Sequence, residues 1–127
     1  MNYDIVATLK ALADPTRLRI VNIVESGTDL CACEIEAVLR LTQSNASRHL
    51  KKLVETGVLE AERRGQWIHY RLGARRDLVR SILTELRQDH RDYGADLAAL
   101  AAYRRSPYRC STIREWREVY WNSPLET

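Results

Sequence analysis

Apolar residues recur at three- and four-residue steps near the start of the chain, where Ile5, Val6, Leu9 and Leu12 predict a short amphipathic helix. Asp14-Pro15-Thr16 then reads as a helix start, with Asp14 as N-cap and Pro15 at the first helical position, where its missing N–H costs nothing. The helix that follows carries Leu18, Ile20, Val21, Ile23 and Val24, is apolar around much of its circumference, and should run through the core. It is expected to stop at Ser26-Gly27, with Gly27 in the left-handed closing conformation. Residues 29–39, DLCACEIEAVL, predict a further short helix, and Leu41-Thr42 a tight connection to a second one over 42–53, TQSNASRHLKKL, capped by Thr42. Two such helices joined by so short a turn predict a helix-turn-helix.

Gly57 breaks the helical pattern. Residues 58–62 and 66–72 then predict two strands joined by Arg63-Arg64-Gly65, a hairpin in which Ile68, Tyr70 and Leu72 share one face. From Arg76 to about Arg105 the helical period returns, with Val79, Ile82, Leu83, Leu86, Tyr93, Leu97 and Leu100 on one side and Gly94 as a candidate bend. An apolar stripe running past so small a body needs a cover, and a second copy of the chain is the simplest one. Ser106-Pro107 ends this helix, and Ser111-Thr112-Ile113-Arg114-Glu115 predicts a capping box opening a last short helix with Ile113, Trp116, Val119 and Tyr120. The expected fold class is mainly α with a small β-hairpin wing, a dimeric winged helix-turn-helix. Residues 1–105 form its DNA-binding and dimerisation domain and residues 106–127 a C-terminal tail.

The second helix of the motif carries the strongest functional signal. In helical geometry Ala46, Leu50 and Leu53 fall in one narrow stripe, while Ser44, Asn45, Ser47, Arg48, Lys51 and Lys52 crowd the opposite side without a single carboxylate. Hydroxyl and amide groups can hydrogen-bond base edges and cations suit phosphate oxygens, whereas an ordinary solvated face mixes both signs of charge. The net charge of +3 is modest, but it is local: residues 42–76 hold eight Lys/Arg against three Glu, residues 1–41 four against six acidic, and residues 77–127 eight against eight. The 127 residues, 45% hydrophobic and 29% charged, describe one globular domain. No apolar run approaches the roughly twenty residues of a bilayer span, and MNYDIVATLK lacks the order of a signal peptide, so a cytoplasmic protein with no membrane partner is expected. No nucleophile, base and orienting group stand at recognisable spacing and no phosphate-cradling glycine loop exists, which argues against an enzyme.

The order helix, helix, helix-turn-helix, wing, long helix, with LADPTRLRIV at 12–21, DLCACEIEAVL at 29–39 and SNASRHLKKLVETGVLEAERRGQWIHYRL at 44–72, resembles the ArsR/SmtB family of metalloregulatory repressors over roughly residues 5–100. The resemblance implies a homodimer that leaves double-stranded operator DNA when a metal or metalloid binds. It implies no constitutive cofactor. Family members place the recognition helix in the major groove, which maps here onto Gln43, Ser44, Ser47, Arg48 and His49. With Asn45, Lys51 and the wing arginines Arg63 and Arg64 these make the candidate DNA-binding set. His49 lies near the edge of the buried stripe, so a phosphate contact or a structural hydrogen bond competes there with base readout.

Three cysteines, an odd count in a short chain expected to be reduced, argue against a disulfide framework and for thiol or metal chemistry. Cys31-Ala32-Cys33 resembles the thiol motif of arsenite- and antimonite-responsive members, and of some cadmium- and lead-responsive ones, making As(III) or Sb(III) the expected inducer. Residues two apart in a regular helix point about 200° apart, so the two sulfurs converge only if Cys31 is an N-cap and Cys33 lies in the first turn. A helix start also favours thiolates, and soft thiolates suit a thiophilic metalloid. Arsenite responders of the best-known type have a third cysteine three residues after the second, where this chain has Glu36. Cys110 is the candidate replacement, within one subunit or across the dimer, and is equally readable as an incidental tail thiol. Alternatives within the same fold are a Cd(II)- or Pb(II)-responsive repressor and a thiol-redox one in which Cys31 and Cys33, or one of them with Cys110, oxidise. The family's zinc sensors use Asp and His pairs on the last helix. Asp77, Asp89, His90, Asp92 and Asp96 include only one histidine, so no zinc site is expected.

Overall fold

The computed structural model of the chain describes residues 3–89 and 91–122. Helix α1 (Ile5–Leu12) opens on Asp4, whose carboxylate accepts from the Val6 N–H. Helix α2 (Pro15–Gly27) opens on Asp14, which accepts from the Arg17 N–H at 3.0 Å, as the Asp-Pro start predicts. The left-handed residue that closes α2 is Thr28, at φ 66°, and not Gly27. Gly27 ends the helix in close contact with the Leu30 and Arg104 side chains, where a methyl group would crowd both.

The segment 29–39, expected as one helix, divides in two. Leu30 and Cys31 form a two-residue strand, β1, and only then does α3 (Ala32–Leu39) begin, with Cys31 in extended conformation as its N-cap. The connection through Arg40, in the left-handed region at φ 58°, leads to α4 (Gln43–Glu55), capped by the Thr42 hydroxyl on the Asn45 N–H. Strands β2 (Leu59–Arg64) and β3 (Trp67–Leu72) form the wing, and the antiparallel sheet runs β1-β3-β2 with Cys31 opposite His69 and Arg64 opposite Trp67. That register moves the turn one step along from the expected position. Both arginines belong to β2, and the turn is Gly65-Gln66, with Gly65 supplying the positive φ of 64°.

Helices α5 (Arg76–Asp89), α6 (Arg91–Arg105) and α7 (Cys110–Asn122) complete the chain. His90 lies outside the described residues, as does the side chain of Asp92. Gly94 is helical within α6. The core is built around α2, whose Ile20, Val21, Ile23 and Val24 are fully buried, with α3, α4 and β3 around it and α6 laid across α2 and α3. Leu100 and Tyr103 of α6 are therefore covered within the chain, and this part of the apolar stripe needs no second copy. Polar anchors fix the arrangement. Arg19 holds Asp96 through two hydrogen bonds of 2.8 and 3.0 Å, and Arg87 reaches both Asn22 and Glu25 of α2. The apolar side chains left exposed on α1 are Ile5, Val6 and Leu9. Among the described residues no helix is long and apolar enough to cross a membrane.

The segment after residue 105, expected as a tail with one short helix, carries the thirteen residues of α7. Ile113 and Tyr120 bury one face of it against α3. Its start precedes the capping box expected within residues 111–115: α7 begins at Cys110, and the Thr112 hydroxyl accepts from the Arg109 N–H.

Candidate nucleic-acid interface and thiol site

Helix α4 presents the face that its sequence pattern predicts. Ala46, Leu50 and Leu53 are buried; Gln43, Ser44, Ser47, Arg48, Lys51 and Lys52 are exposed. Asn45 is half-buried and its side-chain oxygen accepts from Arg48 at 2.7 Å, so the two act as a pair and the guanidinium is held over the face. His49, expected at the edge of the buried stripe, lies on its buried side. It is buried, with Nδ1 3.3 Å from an Arg17 nitrogen and Nε2 3.4 Å from an Arg48 nitrogen. Burial pushes its pKa down, with Arg48 and Arg17 adding to the effect against Asp14, so His49 favours the neutral form, in which one ring nitrogen can accept from one of the two guanidinium groups. Its ring supports the arginines from below and does not itself face solvent.

The wing arginines also separate. Arg63 is exposed at the tip, with one hydrogen bond to the Gly65 carbonyl. Arg64 folds back onto Asp29, 2.8 Å away, and Glu62, and the same Asp29 accepts from or pairs with His69 Nδ1 at 3.0 Å. Both arginines are exposed, but the guanidinium of Arg64 is already paired with carboxylates whereas that of Arg63 meets only a carbonyl.

The thiols divide differently from the sequence expectation. Cys31, at the N-cap of α3, is disulfide-bonded to Cys110, the first residue of α7, with Cα atoms 6.3 Å apart within one chain. The reduced state expected of the chain gives way here to one of the pairs that the thiol-redox alternative names, and it arises because docking of α7 on α3 brings two helix starts together. Cys33 is free and buried, beside Glu36 and Arg114, and burial pushes its thiol pKa up. The residue that does join Cys31 and Cys110 is Glu34, with the ligand atoms of all three within 4.8 Å of one another. Its Oε1 accepts from the Cys31 N–H at 3.1 Å and its Oε2 from the Tyr103 hydroxyl at 2.8 Å. Sequence reasoning passed over Glu34, although Cys31-x-x-Glu34 has the spacing of a capping box with a thiol in the hydroxyl's place.

Glu36, where the arsenite responders have their third cysteine, is 2% exposed. Arg117 of α7 meets it at 2.5 Å and Arg114 lies 3.8 Å away. Further along, the Trp121 indole donates to the Ala37 carbonyl at 2.7 Å, and Arg40 donates to the Trp121 carbonyl at 2.8 Å. So α7 is fastened to α3, the first helix of the DNA-reading motif, at its start, middle and end. Between α3, α4, β3 and α7 lies a cavity of about 240 Å³ that reaches from Cys31 and Cys33 to Gln43 and Ser47 on the recognition helix.

Residues 14–61, from the cap of α2 into β2, match the family described as bacterial regulatory protein, arsR family. The arsenical resistance operon repressor of Bacillus subtilis (strain 168) is 34% identical over 76 residues, which are 60% of this chain and 70% of that protein. The chain belongs to the ArsR family. Another ArsR relative, the arsenic resistance transcriptional regulator ArsR1 of Pseudomonas putida, is 46% identical over 63 residues, 50% of this chain and 49% of that one. This chain thus spans about half the length of ArsR1 and of two further arsenical-resistance regulators it matches. Among solved structures, the homodimeric winged helix-turn-helix domain of Mb0332 from Mycobacterium bovis, a possible ArsR-family regulator, is 25% identical with a TM-score of 0.57, covering 65% of this chain and 74% of that one. These ArsR relatives are transcriptional regulators and not enzymes. The family match includes α3 and α4 with Cys31 and Cys33, and ends well before α7 and Cys110.

Proposed function

We propose that this ArsR-family chain is a cytoplasmic transcriptional repressor that binds operator DNA as a homodimer and releases it when As(III) or Sb(III) is taken up by cysteine thiolates. The carrying observation is that Cys31 caps α3, the helix on which the recognition helix packs, and that Cys110 of α7 lies against it. With the pair reduced, Cys31 and Cys110 offer two thiolates to one ion. Cys33 supplies the third only if the first turn of α3 opens, since it is buried and lies outside the group that Cys31 and Cys110 form with Glu34. Opening that turn deforms α3 and misplaces α4. By linkage, DNA must weaken metalloid binding by the same factor that the metalloid weakens DNA binding. The exposed Ile5, Val6 and Leu9 of α1 offer the apolar surface a second copy can cover, and the homodimeric neighbour supports that arrangement.

The test is fluorescence anisotropy of a duplex that the reduced protein selects from a random pool, titrated with arsenite. Release of wild type, with Cys31→Ser, Cys33→Ser and Cys110→Ser staying bound, is the expected result; a wild type that keeps its duplex overturns the inducer assignment. Failure to select any duplex overturns the DNA-binding assignment itself. On the same duplex Arg63→Ala should lower the salt slope by about one contact, and Arg64→Ala should lower it less because its partners Asp29 and Glu62 already screen it. Equal losses for the two arginines would mean that the Asp29 pairing opens on DNA.

The disulfide favours a second reading, a thiol-redox repressor in which peroxide joins Cys31 to Cys110 and is reduced to water. Release by peroxide with metal chelated, abolished in Cys110→Ser and unaffected in Cys33→Ser, would select it over the metalloid reading.

A further inference from the structure

We infer that α7 adds a contact to the DNA interface: the guanidinium of Arg114, which lines the cavity between α3, α4 and the wing, takes a phosphate group of the operator's backbone. This rests on the DNA-binding reading above and extends it to a helix outside the residues of the family match. The argument begins with placement. Arg114 lines the same cavity as Gln43 and Ser47 of the recognition helix and Gln66 of the wing turn. All four are exposed, and Gln43 and Ser47 stand on the face that α4 presents outward. A duplex lying against α4 and the wing therefore passes over the cavity and meets α7 there.

Charge selects what can enter. Among the described residues lining the cavity, the only carboxylate is that of Glu36, and it faces two guanidinium groups, Arg117 at 2.5 Å and Arg114 at 3.8 Å. Arg117 is the closer and the less exposed of the two, at 25% against 47%, so it serves as the partner of Glu36 and the trio keeps a net positive charge on the Arg114 side. Gln43, Gln66 and Ser47 add neutral amide and hydroxyl groups, each able to donate to a phosphate oxygen. Leu50, Trp67 and Tyr70 supply an apolar wall, and a charge-assisted hydrogen bond beside such a wall is stronger than one in open water.

The cavity of about 240 Å³ has room for a phosphate group and several waters, since a water's share of liquid volume is about 30 Å³. Bridging waters are usual where proteins meet the DNA backbone. The guanidinium is also held ready. Ile113, beside it in the chain, is fully buried, and Arg117 and Trp121 further along α7 bind Glu36 and the Ala37 carbonyl of α3. Arg114 thus extends from a docked helix and not from a free tail, so less ordering entropy is lost when the phosphate arrives.

The experiment uses the reduced protein and the duplex it selects, prepared as a set in which one phosphate at a time is replaced by a neutral methylphosphonate. Wild type, Arg114→Ala, Arg114→Gln and Arg114→Lys are each titrated by anisotropy. Arg114→Ala should bind the intact duplex about tenfold more weakly, the order expected for one lost charge-assisted hydrogen bond, and lower the salt slope by about one contact per subunit. The deciding readout is the map of sensitive phosphates. At least one position whose replacement weakens wild type should have no further effect on Arg114→Ala, while the other sensitive positions keep theirs. Arg114→Gln, which leaves a hydrogen-bonding side chain beside Glu36, carries the same expectation and guards against misfolding of the alanine variant. Arg114→Lys, which keeps the charge, should retain most of the salt slope and that sensitive position. A role confined to supporting α3 through Glu36 would weaken binding without erasing any phosphate from the map, and that result overturns the inference, as does an unchanged salt slope. If the reduced protein selects no duplex, the DNA-binding reading fails and this inference with it; a duplex bound with an unchanged map overturns this inference alone.

Discussion

Arg117→Ala should lower the unfolding free energy by about 3 kcal/mol at neutral pH, toward the low end for breaking a buried ion pair because Arg114 stays within reach of the orphaned carboxylate. Glu36 is 2% exposed, and burial raises its pKa despite the opposing Arg114 and Arg117. A carboxyl whose folded pKa lies above its unfolded one is bound more tightly to its proton in the native state. Its contribution is present below the unfolded pKa and lost as pH rises through the folded one. Removing Arg117 raises the folded pKa further, so the deficit of the variant relative to wild type must grow with pH. Urea unfolding at about pH 4.5 and about pH 7.5 checks this, the midpoint difference being larger at the higher pH. Arg117→Ala also strips a guanidinium from the Trp121 ring, 5.1 Å away, a loss of about 0.5–1 kcal/mol that does not vary with pH. Adding Glu36→Gln removes the charge that needs a partner, and the double variant should recover much of the neutral-pH loss. A pH-independent deficit, unchanged by Glu36→Gln, would show that Arg117 acts only through Trp121.

Local chemistry made the DNA-facing half of the molecule legible. Asp14-Pro15 and Thr42 are caps whose partners lie within three residues, and the Ala46, Leu50, Leu53 stripe needs only helical period to be seen. A two-residue strand has no period to read. Leu30 and Cys31 pair with Tyr70 and His69, some forty residues on, and that pairing decides where α3 begins and hence that Cys31 caps it. The Cys31–Cys110 pairing spans a separation of 79 residues and depends on how α7 docks. One clue to that docking stood in the sequence. Glu36 lies among Ile35, Ala37, Val38 and Leu39, all buried, and a carboxylate in so apolar a helix calls for a cation from elsewhere in the chain. The arginines of α7 are that source. The partners of His49 and Arg64 were hidden for the same reason: each meets a residue from another element, Arg17 and Asp29 respectively, that no helical or strand period reveals.

Tyr103→Ala should cost about 3–5 kcal/mol, the range for deleting a fully packed aromatic side chain, and Tyr103→Phe about 1–2 kcal/mol, so the two together separate packing from the hydroxyl. Tyr103 is 2% exposed and edge-on to Tyr120 at 5.7 Å, so it joins α6 to α7 by contact and α6 to α3 by its bond to Glu34. Burial, and then the Glu34 carboxylate, push its pKa strongly upward, which keeps the hydroxyl a donor across the physiological range. The sign follows as for Glu36. The native state holds the phenolic proton more tightly than the unfolded chain, so this contribution is constant below about pH 10 and falls at higher pH as the unfolded chain begins to release it. Tyr103→Phe should therefore unfold with a weaker alkaline dependence than wild type, and its deficit should shrink above about pH 10. The same variant reaches the thiol site. With Oε2 of Glu34 unpartnered, the carboxylate that caps the Cys31 N–H through Oε1 is free to turn, and α3 loses part of the restraint on its first residue. The equilibrium between the Cys31–Cys110 disulfide and glutathione measures how well the two sulfurs are held together, and Tyr103→Phe should shift it toward the dithiol. If stability drops while that equilibrium is unchanged, Tyr103 supports the core alone and the link from α6 through Glu34 to the cysteines carries nothing.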